Sequence, residues 1–302
     1  MTKSGESNQE KPLVTVVITT YDGVHTIARA ITSALRQTYK PLEIIVVDDN
    51  GFGTKKQKET EKITNQIGND MITYIPHKVN KNGSAARNTG IIAAKGKYVA
   101  LLDDDDAFRT NKIELQVEAL RNKSNEYALC YTGLLVHFQD GRLRENKSSE
   151  EGNVFRKVIL REIEAPSSVL LFTRESATAI GGFDESFIRH QDWEFIDRMA
   201  KQYLVAVVAE VCLDRYIYDR NSAHNPEQFQ KNRLYYLDRS EGLIGKLPKD
   251  DQEKLYYKHY FEIMKEYFKA HEISGTLRWA VKCGHISWLV RDIIKTYKFY
   301  KT

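Results

Sequence analysis

Apolar residues in the first third of the chain fall into short unbroken runs, and between them lie stretches with helical spacing. "LVTVVITTY" (13–21) is β-branched and apolar throughout, the pattern of a strand covered on both faces. "DGVHTIARAITSALRQT" follows, with Ile27, Ile31, Ala34 and Leu35 at helical spacing. "LEIIVVDDN" (42–50) repeats the strand pattern, and 54–67 reads as a polar helix. "MITYIPH" predicts a third strand, "SAARNTGIIAA" a short helix with Ser84 as its cap, "KYVALLDDDD" a fourth strand, and 110–122 a further helix. Strand and helix thus alternate four times, which predicts parallel strands joined by crossover helices in an α/β nucleotide-binding layer.

The pattern changes after residue 125. "YALCYTGLLVHF" and "PSSVLLFTRE" read as longer strands, the first ending at an Asp140-Gly141 turn, with "EGNVFRKVILRE" a helix between them. "GGFDESFIRHQDWEFIDRMAK" reads as a glycine-marked loop entering a helix, and "YLVAVVAEVCLDRYIY" as a last strand. From about 226 onward the spacing is helical. The expected layout is a polar disordered tail (1–11), an α/β domain (12–220) and a C-terminal helical extension (221–302).

In open α/β sheets ligands gather at the carboxyl ends of the strands. The predicted strand ends here carry Thr19, Tyr21 and Asp22, then Asp48, Asp49 and Asn50, then Asp103 to Asp106. Four adjacent carboxylates repel one another unless a cation or water relieves them. Mg²⁺ or Mn²⁺, bound by one or two carboxylates plus phosphate oxygens, fits such a cluster. A solvated acidic loop is the simpler explanation for the cluster alone, and the convergence of three acidic or hydroxyl-bearing strand ends weighs against it.

Composition removes other classes. The formal net charge of +4 over 302 residues is small and does not by itself argue for nucleic acid, which needs a clustered basic face. Cys130, Cys212 and Cys283 are far apart and form no CxxC, which argues against a thiolate zinc site and suits buried free thiols in a reducing compartment. "TTYDG" is not a dinucleotide fingerprint, Gly51 and Gly53 lack a third glycine and an opening helix, and no Walker A loop occurs. The polar N-terminus has no apolar core of a signal peptide, and "YLVAVVAEVCL" is too short to span a bilayer and contains Glu210. The expected location is the cytoplasm.

Three segments, "VVITTYDGVHTIARAITSALRQTYKPLEIIVVDDN", "NGSAARNTGIIAAKGKYVALLDDDDAF" and "GGFDESFIRHQDWEF", resemble the family 2 glycosyltransferases in order and spacing, over roughly residues 12 to 220. The resemblance implies a GT-A fold, a Rossmann-like sheet with mixed strands, and an inverting, nucleotide-sugar-dependent hexosyltransferase using Mn²⁺ or Mg²⁺. It implies that Thr19 and Tyr21 hold the base, the tyrosine by stacking, and that Asp49 accepts a hydrogen bond from the uracil ring nitrogen of a UDP-sugar. Arg87 would face the nucleotide. Asp103, Asp104 and Asp105 cover the family's Asp-x-Asp motif, with Asp103 on the sugar side, Asp104 near the ribose and Asp105 as the metal ligand. Asp106 is then a structural or helix-capping residue.

The same resemblance makes Asp192 the catalytic base, at or near the start of a helix whose N-terminus favours the ionised form. Relatives carry Glu just before it and this chain carries Gln191, so the acceptor-binding role of that acid is in doubt. Gln191 and Trp193 fall on the acceptor side, and His224 where relatives place a histidine able to reach the metal or diphosphate. The processive signature QxxRW is absent, which favours one sugar per encounter, onto a glycan or lipid-linked acceptor. A nucleotidyltransferase would need a glycine-rich basic loop after the first strand, which "TTYDGVHT" does not supply; a non-catalytic nucleotide-sugar binder is the remaining alternative.

Finally, "ISWLVRDIIKTYKFYKT" has apolar residues at 286, 289, 290, 293, 294, 297 and 300, one helical stripe. From 276 to 302 there are six Lys or Arg against one acid, with Trp279 and Trp288. A helix packed on the catalytic domain explains the stripe most simply; peripheral contact of 286–300 with the inner face of a membrane is the second reading.

Overall fold

The computed structural model describes residues 11–217 and 225–301, and within these the chain divides into two compact units: residues 11–158 with 163–217, and residues 159–162 with 225–301. The expected tail, the expected boundary at 220 and His224 lie outside the described residues.

The first unit is built on one mixed sheet. Its strands are β1 (Val14–Thr20), β2 (Leu42–Asp48), β3 (Ile72–Pro76), β4 (Tyr98–Asp103), β5 (Ala107–Phe108), β6 (Tyr127–His137), β7 (Leu143–Asn146), β8 (Leu171–Thr173) and β9 (Leu204–Tyr216). The order is β3-β2-β1-β4-β8-β6-β9-β5, with β7 added to β6. The predicted alternation is realised: β3, β2, β1 and β4 are mutually parallel, and the long runs that form β1, β2 and β4 are buried along nearly their whole length. Crossovers run through α1 (Ile27–Leu35), α2 (Lys55–Ile67) and α3 (Gly83–Ala93), and α4 (Lys112–Arg121) follows β5. Antiparallel β8 then joins β4 to β6, and β6 runs parallel to β9.

Four expectations need correction. "PSSVLLFTRE" is not one strand: Ser167–Val169 forms a 3-10 turn after Pro166, and only Leu171–Thr173 is extended. Thr173 then accepts from Ser176 N–H and starts α6 (Arg174–Ala179), so the same side chain ends the strand and caps the helix. The helix expected over 151–162 is confined to α5 (Phe155–Ile159), and Arg161 has a φ of 55°. Helix α3 is capped by Asn82, which accepts from Ser84 and Ala85 N–H, while Ser84 Oγ is buried without a hydrogen bond. Asp106 does not cap α4, whose N-cap is Asn111. The Asp140-Gly141 turn forms as expected, with Gly141 at φ 85° between β6 and β7.

Helix α7 (Gln191–Gln202) completes the first unit. The second contains α8 (Pro226–Arg239), α9 (Glu241–Ile244), α10 (Lys249–Lys269), α11 (Ile273–Cys283) and α12 (Ile286–Lys301). Its core gathers Tyr257, Phe261, Met264 and Tyr267 of α10 with Trp279 and Cys283 of α11, and Trp288 and Leu289 of α12 pack against it. Gln230 Oε1 accepts from both Tyr267 Oη and Trp279 Nε1, each at 2.9 Å, tying α8, α10 and α11 to one acceptor. All three cysteines are free and buried. No helix among the described residues is long and apolar enough to cross a membrane.

Candidate active site

Parallel registry brings the three strand ends together. Thr19 pairs with Asp103 across β1 and β4, and Thr20 with Asp48 across β1 and β2. The chain turns sharply after each, and the acids sort by burial. Asp104 and Asp106 are buried, and Asp103 and Asp105 are half-buried.

Asp104 is held from β1. Thr20 Oγ1 donates to its Oδ2 at 2.6 Å, and both side chains are buried. A Cβ at Gly23 would lie 1.8 Å from the same oxygen, so the turn into α1 closes on Asp104 only because position 23 has no side chain. Asp103 Oδ1 accepts from Arg87 Nη2 at 2.7 Å, and its own N–H is 3.1 Å from Ser168 Oγ. The Asp105 carbonyl accepts from Arg29, whose guanidinium lies over the Tyr216 ring. Asp106 is enclosed: burial first, then the charge of Asp103, holds its carboxyl well above the usual carboxylate range. Of the two roles expected for Asp106, only the structural one fits.

A second buried network shapes the other wall. Asp49 is 2% exposed, and its Oδ1 lies 2.7 Å from His77 Nδ1 and accepts from Lys81 N–H, while Oδ2 accepts from Asn82 N–H. His77 Nε2 continues to Thr89 Oγ1 at 2.9 Å. These bonds fold residues 77–82 over the end of β2, and Oδ2 retains a lone pair for one further donor. Asp48 accepts from Asn50 and Tyr74, and burial raises its pKa despite those bonds. Asn50 Oδ1 then accepts from Asp22 N–H, locking the first and second loops together. Beside this rigid floor Tyr21 is 57% exposed, an aromatic face at the strand end with room to stack.

Arg87 connects the acids to α7. It is buried with its Nε unpartnered, and its guanidinium lies 5.5 Å from the centre of the Phe183 ring. A Cβ at Gly83 would lie 3.1 Å from Arg87 Nη1 and 3.8 Å from Gln191 Nε2, so the guanidinium and the Gln191 amide face the same small space. The next residue, Asn88, clamps the loop before α7: its Nδ2 donates to Phe183 O and Glu185 Oε1, and its Oδ1 accepts from Phe183 N–H. Phe183 stacks on Phe195 of α7 at 4.1 Å, and Arg198 ties α7 to the carbonyls of Ile180 and Gly182. Asp192 therefore stands in the first turn of a doubly anchored helix, half-buried, with Oδ1 3.0 Å from Trp193 N. Helix α7 begins at Gln191, so Asp192 is inside the first turn and not the cap itself. Trp193 stacks on His190 at 4.1 Å, and Gln191 Nε2 donates to Ile188 O.

The donor set suits a hard cation sharing its ligands with phosphate. Among the described residues no three His, Cys, Asp or Glu side chains converge to hold a metal unaided. Half-buried Asp105 and Asp103 fit the one or two carboxylates that Mg²⁺ or Mn²⁺ takes when phosphate and water complete the shell.

Sequence reading located the strand ends but not the residues that lock them. Thr20, Gly23, His77 and Asn88 act through partners 84, 81, 28 and 95 positions away, and no local pattern marks such pairs.

Four parallel strands, acidic at the ends of β2 and β4 and continued through antiparallel β8 into β6 and β9, form the mixed sheet of the GT-A fold. The profile described as "Glycosyl transferase family 2" matches residues 15–174, and this chain belongs to that family. An uncharacterized glycosyltransferase of Rickettsia bellii is 31% identical over 226 residues, covering 73% of this chain and 31% of the relative. The chain thus spans about a third of the length of that relative. The Escherichia coli "UDP-Glc:alpha-D-GlcNAc-diphosphoundecaprenol beta-1,3-glucosyltransferase WfaP" is 37% identical over 111 residues, 37% of this chain and 42% of the relative. Among solved structures, the mannosyltransferase PcManGT of Pyrobaculum calidifontis, in complex with GDP-Man and Mn²⁺, superposes with a TM-score of 0.60 at 14% identity, covering 91% of this chain and 81% of that one.

Proposed function

We propose that the protein is a metal-dependent, inverting transferase that moves one hexose from a nucleotide-sugar, a UDP-sugar in the first instance, to a hydroxyl of a glycan or lipid-linked acceptor. The observation that carries this reading is the sorting of the strand-end acids: Asp104 and Asp106 are buried, Asp103 and Asp105 are half-buried, and Asp192 lies in the first turn of α7, whose preceding loop is clamped by Asn88. The name of WfaP, with its UDP-glucose donor and diphosphoundecaprenol-linked acceptor, supports the donor and acceptor classes.

Each residue has a task in this reading. Tyr21 stacks on the base, Thr19 flanks it, and Asp49 offers its remaining lone pair to the ring N–H from a pocket floor that is already formed. Asp104, aligned by Thr20, sits towards the ribose. Arg87 pairs with Asp103 at 2.7 Å and adds positive charge on the sugar side. Asp105, with Asp103 in support, would hold Mn²⁺ or Mg²⁺, whose charge offsets that developing on the leaving diphosphate. Asp192 takes the proton from the acceptor hydroxyl as its oxygen attacks the anomeric carbon, and a single displacement inverts that centre. The α7 N-terminus favours the anionic base. Gln191 and Trp193 border the acceptor's approach. Gln191 stands where relatives carry an acid, which removes one charge from the position next to Asp192.

The test is UDP release from a panel of UDP-sugars with Mn²⁺. Wild type should release UDP in a metal-dependent way, Asp105→Asn should lose it, and Asp106→Asn should keep it because the buried Asp106 carboxyl favours its neutral form. Loss in Asp106→Asn with retention in Asp105→Asn would overturn the assignment of the metal ligand.

A further inference from the structure

The second unit leaves apolar surface uncovered. On α11, Ile273, Leu277 and Val281 are four residues apart and 75%, 62% and 80% exposed, while Trp279 and Cys283 on the opposite side are buried. On α12, Ile286, Val290, Ile293 and Ile294 repeat the arrangement, with Trp288 and Leu289 turned to the α10 core. The sequence stripe over 286–300 therefore splits: Leu289 belongs to the core, and its other described members are exposed. The α11 stripe adds a second row of exposed apolar residues to that of α12. Patches of this kind on a folded protein mark a binding surface.

Charge selects the occupant. On a helical projection Arg278 and Lys282 of α11 lie between the exposed stripe and the buried side, and Arg291 and Lys295 of α12 take the same position. All four are exposed. The lone acid of this stretch, Asp292, is engaged by Tyr257 Oη at 3.0 Å and by Arg291. A second copy of the chain placed against this face would bring like charges together. A helix surface with isoleucine, leucine and valine outward and lysine and arginine along one edge matches the interface of an anionic bilayer, where apolar side chains enter the acyl boundary and cations meet phosphate.

We propose that α11 and α12 together dock this protein on an anionic lipid surface. The proposal goes beyond the transferase reading and does not depend on it. It is tested by flotation of the full chain with vesicles of phosphatidylcholine alone and of phosphatidylcholine mixed with phosphatidylglycerol. Wild type should float with the anionic vesicles, less as salt is raised, and weakly with the neutral ones. The pair Leu277→Asp and Ile293→Asp should lower partitioning by about tenfold or more. Replacing Lys282 and Lys295 by Ala should cost about fivefold for each cation removed, on anionic vesicles only. All four positions are exposed, and an unchanged melting curve shows that the variants fold. Absence of flotation, flotation insensitive to both pairs, or a concentration-dependent dimer abolished by the apolar pair would overturn the proposal.

Discussion

The two units solve opposite problems. The sheet unit buries polar and charged groups: Asp48, Asp49, Asp104, Asp106 and Lys112 are all removed from water. The helical unit exposes large apolar groups along α11 and α12. Burying a charge is costly unless partners compensate, and exposing an apolar face is costly unless something covers it. Of these carboxylates, Asp104, Asp48 and Asp49 are held by Thr20, Tyr74, His77 and loop amides, so that cost buys a fixed floor at the strand ends. The helical unit would meet its own cost on the proposed lipid surface.

The contrast can be tested from the largest effect to the smallest. Gly23→Ala should be the most damaging small change, because its methyl would collide with Asp104 Oδ2. We expect about 1–3 kcal/mol of lost stability in urea unfolding and weakened UDP binding by calorimetry. Asn88→Ala should cost about 1–3 kcal/mol by stranding the amide and carbonyl of Phe183. Its kcat should fall more than its KM for the donor changes, since the variant loosens α7 and leaves the nucleotide floor intact.

Lys112 gives a pH-dependent test. Its ammonium is fully buried, donates to Gln116 Oε1 at 2.7 Å and lies 4.1 Å from the centre of the Phe108 ring; burial lowers its pKa to about 7. The unfolded chain, with an ordinary lysine, binds more protons between about pH 7 and 10.5. Folding stability from this group therefore rises with pH across that window, and below it the full penalty applies. The denaturation midpoint of Lys112→Met relative to wild type should fall steadily from pH 7 to 10, and a flat difference would show the lysine to be hydrated. Leu277→Asp should have the smallest effect on folding, within about 0.5 kcal/mol, since its side chain already faces water.

Much of the fold was legible because parallel strands buried on both faces must be apolar along their length, and β1, β2 and β4 advertise this in Val14–Ile18, Ile44–Val47 and Val99–Leu102. The acids at their ends were equally visible. What escaped were features set by distant partners. Strand β5 is two residues long and exists because Ala107 and Phe108 meet Asp214 and Leu213 of β9. The break at Ser167–Val169 follows Pro166, and Ser168 then reaches the Asp103 amide. Asn82 rather than Ser84 is the cap because α3 starts at Gly83, which puts Asn82 just outside the helix with its side chain accepting from the Ser84 and Ala85 amides and leaves Ser84 inside the first turn.

The three tryptophans have a practical consequence. Trp193 adjoins the proposed base and stacks on His190, whereas Trp279 and Trp288 are packed in the helical unit. The molecule thus carries native optical reporters in both units. A variant with Phe at 279 and 288 confines indole emission to Trp193, beside the proposed base, where a change in intensity would register an arriving ligand without any attached dye.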